Sequence, residues 1–200
     1  MIEVIVVVSV LCLLALLLIP KLSGLRGKAA RIQCVNNLKN IGLEMRVFSG
    51  ESARRTQSQA STNLTASERA FPESEILRFF PMLSNAPPAL LICPSDTRKP
   101  VTSLARLRNE NISYFLGLDS DETLPSSLLA GDRNITTNGV QVPSGVLELT
   151  TNSVVGWSDT MHRKQGNVAM GDGSVQQSTI ARLQAWLPTS GLRTNRLMIP

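Results

Sequence analysis

The chain has 200 residues with three Cys, one His, 42% hydrophobic and only 4% aromatic residues, and a formal net charge of +5. That length suits one domain plus an anchor. The charge is local: between Lys21 and Arg55 eight Lys or Arg stand against two Glu, a net of +6, so the remainder is about neutral. A basic stretch without interleaved aromatics lacks the stacking platforms of a nucleic-acid binder, which excludes that class. Next to an apolar run it points to lipid headgroups.

From Met1 to Ile19 the sequence is apolar except for Glu3 and Ser9. A run of ~20 apolar residues matches the ~30 Å hydrocarbon core of a bilayer. The basic start and small-residue cleavage site of a secretory signal are both missing. Residues 1–20 are therefore expected to be a single-pass membrane anchor, with Ile5, Val8, Leu11, Leu14 and Leu18 among its lipid-facing side chains. Pro20 would bend the helix by removing one hydrogen bond. Apolar residues then recur at Leu22, Leu25, Ala29, Ile32, Val35, Leu38, Ile41, Met45 and Phe48, steps of three and four that predict an amphipathic stalk helix over 21–50. Ile32, Val35, Leu38, Ile41 and Met45 are expected to face a sheet, and Leu22 and Leu25 to face neighbouring subunits.

Residues 51–108 read as a loop-rich linker. It holds a short helix in "SERAFPESEILRFFPML" and the turn-rich "NAPPALLICPSDTRKPVTS" around one apolar core. From Asn109 the texture changes to short apolar runs split by turns, which predicts an antiparallel sheet over 109–200. "NISYFLGL", "SSLLAGDRNIT", "GVLELT" and "SVVGWSD" are strand candidates, and "GNVAMGDGSVQQS" reads as a hairpin whose Gly residues supply the turn. "TIARLQAWL" closes the chain as a helix, or as a strand and short helix. The expected fold class is α+β, a long N-terminal helix packed on a C-terminal antiparallel head.

A Glu near the start of an apolar helix, a Pro after it and a basic amphipathic continuation resemble type IV pilins and type II secretion pseudopilins. "ARIQCVNNLKNIGLEMRVF", "CPSD", "LLAGDRN" and "HRKQGNVAMGDGSVQ" are similar to the pseudopilin-like proteins of planctomycete and verrucomicrobial genomes. The resemblance implies prepilin-type cleavage and methylation, then a globular head. It also implies a role for Glu3, since a carboxylate in hydrocarbon is costly unless paired: pairing with the N-terminal amine of a neighbouring subunit during assembly. The departure is at the N-terminus, where Met1 aligns two residues inside the usual mature chain and the basic leader does not precede it. By the positive-inside rule, the basic stalk alone would keep the head in the cytoplasm. A basic leader upstream would instead export it.

Three sets of side chains are site candidates. Cys34 and Cys93 form a candidate disulfide in an oxidising compartment, with Cys12 out of reach in the anchor. A single His and no C-x-x-C argue against zinc. Asp119, Asp121 and Asp172 are candidate calcium ligands, although the EF-hand spacing is missing and turn-forming Asp residues account for them more simply. His162 lies near Ser158 and Asp159, but no G-x-S-x-G elbow accompanies it, so it is read as a structural side chain.

The expected function is structural and not enzymatic, with no cofactor beyond the candidate calcium. The protein would be an inner-membrane, single-pass subunit with an exported head. Its expected partners are itself or other pseudopilins through the N-terminal helix, an inner-membrane assembly platform and, given an upstream leader, a prepilin peptidase. The alternative is an anchored periplasmic binding domain that does not polymerise. An anchored hydrolase would depend on His162.

Overall fold

The computed structural model describes the backbone of residues 2–62 and 87–200, and the side chains of residues 2–14, 16, 27–46 and 87–200. One helix, α1 (Ile2–Thr62), opens the chain. Among the described residues nine strands follow: β1 (Tyr114–Gly117), β2 (Leu128–Asp132), β3 (Ile135–Thr137), β4 (Val140–Gln141), β5 (Gly145–Thr150), β6 (Val155–Trp157), β7 (Gly166–Met170), β8 (Val175–Ser178) and β9 (Thr194–Ile199). A second helix, α2 (Ile180–Thr189), lies between β8 and β9. The class is α+β, as expected. Six strands pair antiparallel in the order β5-β9-β1-β2-β7-β8, and β4-β3-β6 form a smaller sheet.

Helix α1 continues through Pro20 and past residue 50, so residues 51–62 are helical where a linker is expected. Glu51, Ala53, Arg54, Arg55, Gln57, Gln59 and Ala60 are good helix formers, and that local preference outweighs the polar composition. The short helix expected within 67–83 lies outside the described residues, as do the side chains of Leu18, Pro20, Leu22 and Leu25. Among the described residues, no helix is long and apolar enough to cross a membrane.

Alternation along the large sheet divides the core in two. On the α1 side, Tyr114, Leu116, Leu129, Ala130, Ala169 and Met198 pack with Cys34, Leu38 and Ile41 of the helix. On the other side, Phe115, Leu128, Val168, Met170, Leu197 and Ile199 pack with Val155 and Trp157 of β6 and Leu183 and Leu187 of α2. Leu128 and Ala130 would share a face in a regular strand. The register shift between them is a bulge, and bulges re-aim the residues that follow. It sends Ala130, and two residues on Asp132, towards α1.

The buried stripe on α1 is Cys34, Leu38 and Ile41, with Met45 partly buried and Asn37 buried beside it. Ile32, expected to face the sheet, is 58% exposed, and Val35 is half-buried. Leu90, Leu91, Cys93 and Leu107 join the helix-side core, so the head begins well before Asn109. Polar ties also hold α1 along its length: among them, Asn37 Nδ2 donates to the carbonyl of Ile92 at 2.9 Å, and Arg46 donates to the carbonyl of Gly171 at 2.9 Å.

Three expectations for the strands meet different outcomes. The β7–β8 hairpin forms as read, with Gly173 at φ +82° in its turn. Strands β5 and β6 form but part company: β5 pairs with β9 and β6 with β3. The sequence reading has no strand at 194–199, yet β9 sits between β5 and β1.

Leu38→Ala is expected to cost about 2–5 kcal/mol, as for a buried Leu, and Ile32→Ala less than about 0.5 kcal/mol. Urea unfolding of the full chain, followed by Trp fluorescence, separates the two. Equal losses would mean that the helix docks through a different stripe.

Candidate metal centre

Four remote segments meet beneath α1. The helix brings Cys34. A 3-10 turn at Pro88–Leu91 leads through Ile92 to Cys93. Strand β2 ends on Asp132, and the turn before β7 brings His162. Cys34 Sγ lies 3.0 Å from Asp132 Oδ1, Cys93 Sγ 3.2 Å from His162 Nε2, and His162 Nε2 3.4 Å from Asp132 Oδ2. One ligand-type atom from each of the four lies within 4.8 Å of all the others. Cys34, Cys93 and Asp132 expose nothing to solvent, and the His162 side chain only 2%.

Local structure explains each placement. Asp132 pairs across the sheet with Tyr114, so both side chains point at the helix; Tyr114 Oη lies 3.4 Å from Cys34 Sγ and accepts from Asn37 Nδ2 at 3.2 Å. The preceding Gly131 faces the other way, where a Cβ would meet the Phe115 ring at 2.5 Å. Asn167 donates to Asp132 Oδ2 from its backbone N at 2.7 Å and from Nδ2 at 2.9 Å.

His162, Arg163 and Lys164 have φ of 50°, 54° and 58°. Left-handed backbone costs about 1–2 kcal/mol per L-residue, and three in succession are unusual. The turn is held in place from both sides. Asn134 Nδ2 donates to the carbonyls of Ser158, Met161 and Gln165 at 3.0–3.1 Å. Arg31 of α1 donates to the His162 carbonyl at 2.9 Å and to the Gln165 side chain. Strain of this kind persists where the surroundings over-determine it, and here it turns the imidazole into the core.

Burial and charge set the protonation. Burial, the hydrogen bond with Cys93 and the charge of Asp132 push the Cys34 thiol well up. The hydrogen bond from Cys34 pulls Cys93 down to about 5, burial opposing and His162 adding to the fall. Burial raises Asp132 to about 7, a Cys93 thiolate contributing and His162 opposing. Burial alone would lower His162, but its bond to Cys93 and the charge of Asp132 outweigh it and the net shift is upward. Burial also raises Tyr114.

This geometry does not form a nucleophile–base–orienter relay, in which the two ring nitrogens of His serve different partners. Here the same nitrogen, Nε2, faces both Cys93 and Asp132. Ser158 Oγ pairs with Thr160 at 2.8 Å, while His162 turns inward. What the four side chains present is a set of ligand atoms converging on one point.

Among the described residues, the calcium candidates do not form a cluster of three ligand atoms. Asp119 pairs with Arg196. Asp121 accepts from Thr123 N and Oγ1, both at 2.7 Å, and Asp172 accepts from Ser174 N at 2.8 Å. The last two are Asx-type turns, which need no cation. Cys34 and Cys93 are adjacent, as a disulfide would require, and both are free thiols; Cys12 is free and exposed. The single His and the two distant Cys, whose spacing argues against zinc, nevertheless gather here with a carboxylate, Asp132, that is not among the residues singled out from the sequence. The available signal for Asp132 was an acid ending the apolar run "SLLAG".

The same region ties "CPSD" to "GDRN". Arg133 grips Asp96 with two bonds of 2.8 Å, and Ser113 Oγ donates to Asp96 at 2.8 Å. No protein-family model, curated protein sequence or solved structure matches this chain.

Burial alone would raise Asp96, but Arg133 and Ser113 outweigh it and hold the carboxyl below its ordinary value. A depressed folded pKa stabilises the fold fully above the unfolded value of about 3.9 and ceases to do so as pH falls through the folded value. Asp96→Asn leaves Arg133, 17% exposed, without its anion and should cost about 3 kcal/mol at neutral pH. Urea unfolding at pH 7 and pH 3 measures this. A variant deficit as large at pH 3 as at pH 7 would rule out the charge as its origin.

Proposed function

We propose that this protein is a structural subunit of a type IV pilin-like or type II secretion pseudopilin-like filament. In this reading it is held at the inner membrane by the start of α1, with its head exported. The supporting observation is the division of α1. Ile2, Val4–Val8, Val10, Leu11, Leu13, Leu14 and Leu16 are each 51–77% exposed, while Cys34, Leu38 and Ile41 of the same helix are core of the head. Five consecutive apolar residues, 100° apart, cover the whole circumference, so the head cannot bury this segment. Apolar surface of that extent marks contact with lipid or with other subunits.

Assembly then consists of moving the exposed part of α1 from lipid into a bundle of like helices. Glu3, in the first turn of α1, pairs with the N-terminal amine of the neighbour, because a carboxylate leaving water without a partner is costly. The partners are other copies or related subunits, an assembly platform in the membrane and a prepilin peptidase acting on an upstream leader.

The full chain and its Glu3→Ala variant, expressed in a bacterial inner membrane, distinguish the readings. Expected are a roughly tenfold or greater loss of assemblies larger than dimers in the variant, as for a lost charge pair, unchanged membrane flotation and unchanged head melting. Monomers in both proteins, sized in detergent and checked by negative-stain microscopy, would sink the subunit reading and leave an anchored, non-polymerising binding domain.

A further inference from the structure

We propose that Cys34, Cys93, Asp132 and His162 bind one zinc ion, which pins the stalk helix α1 to the head. This site is independent of whether the protein polymerises. The first support is geometric. Zinc bonds of about 2.0–2.3 Å to N, O and S span ligand-to-ligand edges of about 3.3–3.8 Å in a tetrahedron. Three of the edges are 3.0, 3.2 and 3.4 Å, and the remaining ones lie within 4.8 Å. The three short edges open by a few tenths of an ångström, and the wider ones close by up to about 1 Å, to reach tetrahedral values.

The second support is the shell around the four. Metal-binding carboxylates and thiolates are oriented by outer hydrogen bonds. Asp132 receives two from Asn167, and Cys34 contacts Tyr114 Oη. The left-handed turn that aims His162 is the third support, since strain is retained here to point one imidazole nitrogen at a buried carboxylate and a buried thiol.

Softness and burial select the ion. Two sulfurs, an imidazole and one carboxylate oxygen in tetrahedral array suit zinc rather than calcium or magnesium. Four protein ligands and no solvent exposure make the site closed, the mark of a structural centre. On binding, Zn–S, Zn–N and Zn–O bonds form, and whatever protons the two thiols, the Asp132 carboxyl and His162 Nε2 hold pass to solvent. No electrons are transferred. Two thiolates, one carboxylate and a divalent cation leave one negative charge. The Arg31 guanidinium bonded to the His162 carbonyl lies close enough for its charge to act on His162.

The full chain, purified in detergent without chelator, should hold about one zinc per chain by elemental analysis. Cobalt(II) in its place should give the intense visible bands of a tetrahedral ion and the near-ultraviolet band of thiolate bonding. Cys93→Ser, His162→Ala and Asp132→Asn should each lose most of the metal. Because a variant can fail to fold, the wild-type chain is also stripped with EDTA. Its melting midpoint should fall by about 10 °C or more and return on adding zinc. A metal-free chain whose melting ignores EDTA and zinc would overturn the proposal. So would a Cys34–Cys93 disulfide found by thiol counting, or full metal content in folded His162→Ala and Cys93→Ser variants.

Discussion

The carboxylate of Asp132 has no surface exposed to water, and the docking of α1 depends on how that group is satisfied. An ionisable group in such a place must be matched by donors, by charge or by a cation. Asn167 supplies two hydrogen bonds from the neighbouring strand β7. Cys34 supplies a contact from the helix and His162 one from the turn before β7. Each of these lies far away in sequence, so the carboxylate can be accommodated only when helix, sheet and turn are assembled together. The bulge in β2 points Asp132 at the helix, and Gly131 leaves room on the opposite face for Phe115.

Around this point the helix-side core has a polar centre within an apolar surround. Leu38, Ile41, Leu91, Ile112 and Leu116 provide apolar burial, which is non-directional and roughly proportional to area. Asn37, Tyr114, Asp132 and His162 add directional contacts that fix where along its axis the helix sits. A helix sliding by one turn on apolar contacts alone would lose little area. The same slide would separate Cys34 from Asp132 and Arg31 from the His162 carbonyl. The polar centre therefore contributes specificity of docking more than net stabilisation.

Helix α1 thus lives in two environments. Over Cys34–Ile41 it is a component of the head. Over Ile2–Leu14 its apolar side chains are exposed around the whole circumference of the helix. The Arg46 tie to the β7–β8 turn adds a second point at which the docked part of α1 is fixed to the sheet.

Local patterns in the sequence determined a good part of this. The α+β class, the opening helix, β1, β2 and the β7–β8 hairpin follow from periodicity and turn chemistry, because neighbours in sequence settle those choices. Over residues 51–62 helix propensity competes with polar composition and prevails, and "TNRLMI" has no clean alternation and gains its strand from β5 and β1 on either side. Ile32 looked like core by its spacing, yet the stripe that docks runs through Cys34 and Asn37, since the sheet's polar centre chooses the helix face. Only the tertiary structure decided the candidate centre. Cys34, Cys93, Asp132 and His162 share no short spacing, and the physical reason that they meet is long-range: strand register, a bulge and a strained turn bring them beneath one helix.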